Sequence, residues 1–188
     1  MWSQLKRISI PKFKGDVRTY ESWWTAFSAC VDQSAASPEY KLLHLRQSLE
    51  GEPLRWIEML GHSPRAYQKA KEVLERKYGG VRRKISVQME ELEKVKLVRQ
   101  GNVGDLENLA YVVENVVFNL INQGRVSELD KGTLYLSVLK KLPESKIIDY
   151  QRWNDENNKI ESLVMLKNWL MEEAEFSVAA SETIHGFQ

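Results

Sequence analysis

The sequence predicts an all-α fold of two small helical lobes, preceded by a short extended strap. Three observations carry this. Apolar residues recur at three-and-four spacing along most of the chain. Of the five prolines, Pro38, Pro53, Pro64 and Pro143 stand where helices should start or be interrupted. No alternating strand series, internal repeat or low-complexity segment interrupts the pattern.

The strap is Ile10-Pro11-Lys12-Phe13-Lys14-Gly15-Asp16, in which Pro11 holds Ile10 extended and Gly15 permits a turn. A helix over 19–35 follows, its Tyr20, Trp23, Trp24, Phe27 and Val31 on one face, where such a stripe is the signature of a buried side. Helices over 38–49, 53–60 and 64–78 come next, with Ser37 and Ser63 as N-caps before proline at the first helical position. Gly79-Gly80 ends the fourth helix, and with the basic run behind it marks the best internal boundary, dividing the chain into 1–80 and 81–188. Beyond it the spacing predicts helices over 81–98, 104–122, 128–142, 144–153 and 160–180. The β-branched Val112-Val113 and Val116-Val117 suggest a strand, but Leu106, Leu109, Val113, Val116, Val117 and Leu120 keep helical spacing over too great a length for one.

Hydrophobic residues at 43% and charged residues at 28% describe a soluble globular chain. Lobes of roughly 80 to 100 residues would each bury only about 60 to 65% of their unfolded surface, which makes them modestly stable. A net charge of +1 argues against a strongly basic nucleic-acid module and leaves RNA contact, weak from this region alone, to local patches. The single cysteine, Cys30, excludes an intrachain disulfide and a cysteine-based zinc site, and fits a reducing compartment. No apolar run reaches the roughly 18 residues of a membrane span, and the N-terminus lacks a leader's apolar run. The expected location is cytoplasmic.

No catalytic constellation emerges. His44, His62 and His185 are scattered without metal-ligand spacing, and no glycine loop has the lysine and strand context of a phosphate cradle. Cys30 has no neighbouring histidine, and Glu90, Glu91 and Glu93 read as a solvated helix face. The expectation is a protein with no cofactor and no enzymatic activity. Arg82, Arg83 and Lys84 form the sharpest basic cluster, either a solvated linker or a contact for subunits or RNA. In Arg99 to Glu107, Gln100 can bond turn backbone groups, Asn102 can cap a helix, and Asp105 with Glu107 can face that helix's positive end. The segment containing Leu134, Tyr135, Leu136, Val138, Leu139 and Leu142 is apolar on more than one side, so either it is buried on both, or one of Tyr135, Leu136 and Leu139 faces a partner subunit.

The order of these parts carries a family resemblance. The Pro-x-Phe-x-Gly-Asp strap leads into the aromatic first helix, then Leu45 to Glu52, with Leu45, Leu49, Gly51 and Glu52 spaced as Leu-x-x-x-Leu-x-Gly-Glu. Tyr67, Ala70, Leu74, Tyr78 and Gly79 follow, with Glu75 and Arg76 between. This order resembles the Gag-like domain of Bel/Pao LTR retrotransposons and, more distantly, the capsid domains of other LTR retroelements and retroviruses, and it continues weakly to about Phe176. The resemblance implies capsid-like N-terminal and C-terminal lobes and a protein that assembles with itself into a shell around retroelement RNA. It makes Gln100, Gly101, Asp105 and Glu107 a loose counterpart of the retroelement major homology region, without the later arginine of that pattern. It also places the segment of Tyr135, Leu136 and Leu139 where retroviral C-terminal lobes dimerise. The alternative is a domesticated Gag-derived adaptor that holds a partner peptide in an N-lobe groove floored by Trp23, Phe27 and Trp56. With no Cys-x-x-Cys pattern, zinc-knuckle packaging chemistry would lie outside this sequence.

Overall fold

The computed structural model describes residues 8–187. Residues 1–7, at which the sequence lacks a leader's apolar run, lie outside that range. Among the described residues there are nine α-helices, one π-helical turn, one 3-10 turn and a single isolated parallel β-bridge, so the fold is all-α. The chain divides into two compact units, Met1–Lys84 and Ile85–Gln188, and the division falls inside a helix a few residues past Gly79-Gly80.

The first unit holds α1 (Val17–Phe27), a π-helical turn (Ser28–Asp32), α2 (Pro38–Gln47), α3 (Glu52–Glu58) and α4 (Pro64–Tyr78). Asp16 caps α1 by accepting from the Arg18 amide at 2.9 Å, and Ser37 caps α2 by accepting from the Tyr40 amide at 3.3 Å. Ser63 occupies the N-cap position of α4, but its side chain makes no capping bond there; Pro64 alone marks that start. The helix expected over 19–35 leaves α geometry after Phe27 and finishes as the π turn. That turn ends at Asp32, whose carboxylate accepts from the Tyr67 hydroxyl and from Lys71 at 3.0 Å, tying the turn to α4.

The strap runs across this unit. The Phe13 amide donates to the Ser48 carbonyl at 2.9 Å and the Phe13 carbonyl accepts from the Glu50 amide at 3.0 Å, which forms the bridge between Phe13 and Leu49. These bonds fix the Phe13 ring, 1% exposed, against Trp23 (5.2 Å, stacked), Tyr20 (5.5 Å, edge-on) and Tyr78 (5.0 Å, edge-on). Trp23 stacks in turn on Phe27 at 5.4 Å. Leu42, Leu45, Leu49, Ile57, Ala70 and Leu74 complete the core.

The second unit takes most of α5 (Val81–Lys94), then α6 (Val103–Asn122), a 3-10 turn (Val126–Leu129), α7 (Thr133–Leu139), α8 (Glu144–Glu156) and α9 (Leu163–His185). Its centre is the packing of α6 along α9, with Leu106, Leu109, Val113, Val116, Val117 and Leu120 buried, the helical stripe that overrides the local β-branched bias. Two expected helices are shorter. The one expected over 81–98 stops at Lys94, because the Val98 amide donates to the Lys141 carbonyl at 2.7 Å while the Lys141 ammonium donates to the carbonyls of Glu93 and Val95. The one expected over 128–142 splits into the 3-10 turn and α7, since Gly132 between them is extended.

Two glycines in the first unit are required for different reasons. Gly15 has φ +107° with Pro53 and Tyr78 at ordinary contact distance, so an alanine there is strained in backbone rather than crowded. Gly79 has an ordinary φ, but a Cβ would lie 2.7 Å from the Tyr20 ring and from the Glu75 carboxyl carbon. We expect Gly15→Ala to lower stability by about 1–3 kcal/mol. Trp23→Ala and Phe27→Ala should each cost about 3–5 kcal/mol. Thermal and urea melts read all three, and a Trp23→Ala chain that kept its melting temperature would remove that ring from the core.

Candidate functional site

Three motif residues of the first unit, Phe13, Gly15 and Glu52, meet at Tyr78. Its ring meets Phe13, its hydroxyl donates to Glu52 Oε1 at 3.0 Å, and Gly15 packs beside it. Lys77 reaches the same Glu52 oxygen at 2.7 Å, and Lys77 with the Tyr78 hydroxyl holds the Glu52 carboxyl below the usual carboxylate range. Burial first, then the Glu52 charge and hydrogen bond, push the Tyr78 hydroxyl far up, so it stays protonated as the donor. Glu75 performs a parallel task, accepting from the Tyr20 hydroxyl at 3.2 Å and from the Gly80 amide at 3.1 Å. Strap, Gly-Glu segment and Tyr-Gly helix end are therefore one structural joint. Its acids orient tyrosines and close a helix end.

Trp23 and Phe27, at 3% and 0% exposed, lie inside the core, so neither offers surface to a peptide. Trp56 is half-buried and faces cations, with Lys77 at 4.3 Å and Arg55 at 5.3 Å from its ring. The structure does not bring these three together as an open floor.

The basic run sits in the first turn of α5. Arg83 donates to the carbonyls of Arg76 and Gly79 at 2.8 and 3.1 Å, covering the open end of α4, and Lys84 pairs with Glu21 at 3.2 Å. Two of the three cations are thus engaged within their own unit.

In the second unit, Asn102 caps α6 by accepting from the Asp105 amide at 2.9 Å. Gly101, at φ +73°, makes the turn before it. Asp105 does more than face the helix dipole. It takes the Arg99 guanidinium through two bonds of 2.8 and 3.1 Å and the Arg99 amide at 3.1 Å, which hold its carboxyl down at about 2 from its ordinary 3.8. The arginine that pairs with Asp105 stands before the turn in the chain. Gln100, expected to bond turn backbone, instead accepts from the Ser145 hydroxyl at 2.9 Å and ties the turn to the start of α8. Glu107 takes no part in this network and lines a groove between α6 and α9.

On α7 the three candidates separate. Tyr135 is buried, its hydroxyl donating to Tyr150 at 3.0 Å, and Leu139 packs against the core. Leu136, 48% exposed, is the outward one. Other large apolar side chains on helices are also exposed: Tyr40 and Leu43 on α2, and Tyr111, Phe118 and Ile121 on α6. Among the described residues no group of three His, Cys, Asp or Glu could hold a metal ion, and no helix is long and apolar enough to cross a membrane.

The depressed Asp105 carboxyl sets a pH expectation. A group whose folded pKa lies below its ordinary value contributes stability above that ordinary value and loses it on acidification. The Asp105 contribution should therefore be whole above about pH 4 and fade as pH falls toward about 2. Asp105→Asn should destabilise the second unit at neutral pH and flatten its stability profile between those values, as read by urea melts at stepped pH. An unchanged acid limb would show that the Arg99 contact contributes nothing in solution.

No curated protein and no solved structure matches the chain. A family model described as "Protein of unknown function (DUF1759)" matches residues 13–176, from the buried Phe13 of the strap into the second half of α9. With both units included in that match, the chain belongs to the DUF1759 family.

Proposed function

We propose that the chain is a Gag-type capsid subunit related to those of Bel/Pao LTR retrotransposons, which assembles with itself into a shell around retroelement RNA in the cytoplasm. The observation that carries this reading is the set of apolar side chains left exposed on helix faces of both units: Tyr40 and Leu43 in the first, Phe118, Ile121 and Leu136 in the second. A shell subunit needs more than one contact face, and each such side chain, already about half buried, gains about 1 kcal/mol when fully buried. No single face has to bind tightly, because closed symmetry repeats a weak contact many times.

The order of motifs supports the same reading, since the parts that carry the retroelement resemblance build one joint around Tyr78. Membership of the matched family is compatible with it. The mechanism is geometric and contains no bond-making step. RNA contributes little through this region, because the net charge is +1 and Arg83 and Lys84 serve their own unit. The adaptor alternative would have to use a surface other than Trp23 and Phe27, which are core.

Negative-stain microscopy of the purified chain over a range of salt and concentration tests this. Closed particles or regular oligomers are expected, and a monomer at every condition contradicts the proposal. Leu136→Asp should lower the sedimentation coefficient while helix content and melting stay unchanged. Tyr135→Ala should unfold the second unit by a few kcal/mol instead, because it empties a core position and strands the Tyr150 hydroxyl.

A further inference from the structure

The second unit carries a groove of about 640 Å³ between the first half of α6 and the second half of α9. Its floor is small and apolar, with Ala110, Ala174, Val178 and part of Tyr111. Its rim is acidic: Glu107 comes from α6 and Glu172, Glu175 and Glu182 from α9, and among the described residues no lysine or arginine lines it. In a chain of net charge +1 this is a strong local concentration of one sign.

These acids are placed at a local cost. Glu172 and Glu175 are three residues apart on one helix and repel, and Glu182 stands in the last turn of α9, where the helix dipole is already negative. Among the described residues none of the four forms an ion pair or a side-chain hydrogen bond, whereas Glu173 beside them, outside the groove, pairs with Lys146 at 2.6 Å. The core contacts of α9 also end early. Its last buried residue is Ala174, yet the helix continues to His185, with Phe176 and Ile184 at 62% and 75% exposed. A helix end with only partly buried residues gains little from tertiary burial and is marginal in water by itself. Repelling charge and a thinly packed helix end coincide on one apolar groove.

We propose that this groove is a docking site for a basic amphipathic helix of another protein. The stretch from Met171 to Glu182 runs about 16 Å, which matches about three turns of a partner helix. The partner's apolar side rests on Ala110, Val178 and Tyr111, and its lysines or arginines flank the stripe and meet the four glutamates. A second copy through the same groove would set these four acids against four more. The acidic rim likewise repels nucleic acid.

The test uses the full chain and three labelled synthetic peptides of about four turns (~14 residues). One is a Lys–Leu helix with a single apolar face, one has the same pattern with Glu for Lys, and one has the Lys–Leu composition scrambled to leave no face. Fluorescence polarisation should give saturable binding of one facial Lys–Leu peptide per chain, weakening with salt, and little binding of the other two. The double variant Glu175→Lys/Glu182→Lys and the single variant Val178→Asp should each weaken it about tenfold or more. Glu156→Lys, an exposed charge change on α8 outside the groove, should leave it unchanged. Equal binding of the scrambled peptide, an equal loss in Glu156→Lys, or no binding at millimolar peptide overturns the proposal. So does a wild-type dimer that Glu175→Lys/Glu182→Lys dissociates, since the groove would then be a self-interface. Particle formation by the same variants is read separately, so failure of this site and failure of shell assembly remain distinguishable.

Discussion

The Phe13 ring is held on three sides by Trp23, Tyr20 and Tyr78, while its backbone is bonded to Ser48 and Glu50. Through this one residue, by its ring to α1 and the end of α4 and by its backbone to the segment between α2 and α3, the three share a common contact. Each aromatic pair contributes about 0.5–1.5 kcal/mol beyond its buried area, which is large against the modest stability of a lobe of this size. The surrounding details serve the insertion. Gly15 turns the chain out of the strap, Asp16 starts α1 directly afterwards, and Gly79 lets Tyr20 and Glu75 close over the end of α4.

The second unit is held differently. Its core is a long aliphatic contact between α6 and α9, and its polar bonds fasten connecting segments to it: Arg99 on Asp105, Gln100 on Ser145, Lys141 on the chain leaving α5. One unit thus depends on an inserted aromatic ring and the other on helix packing with pinned connections. The acidic groove lies in the second unit, and its glutamates take no part in the bonds that hold that unit together.

Much of this was legible in the sequence because it rests on local periodicity. The stripe of Tyr20, Trp23 and Phe27, the stripe along α6, and the prolines opening α2 and α4 are all written within a few residues of where they act. What was not legible depends on partners distant in the chain. Lys141 ends α5 early, Arg99 reaches across the turn to Asp105, and only tertiary packing separates Leu136 from Tyr135 and Leu139. The groove was hidden for the same reason, since Glu107 and the glutamates of α9 stand in helices far apart in sequence. The partners of the basic run were equally hidden, since Arg83 reaches back to Gly79 and Arg76 and Lys84 to Glu21.

The claim that the first unit depends on the strap is tested most directly by amide hydrogen exchange of the intact chain and of Phe13→Ala. Protection across α1, α2 and α4 should fall together in the variant, as one cooperative block, while α6 and α9 keep theirs. Faster exchange confined to the strap and to Glu50, with α1 and α4 as protected as before, would contradict it.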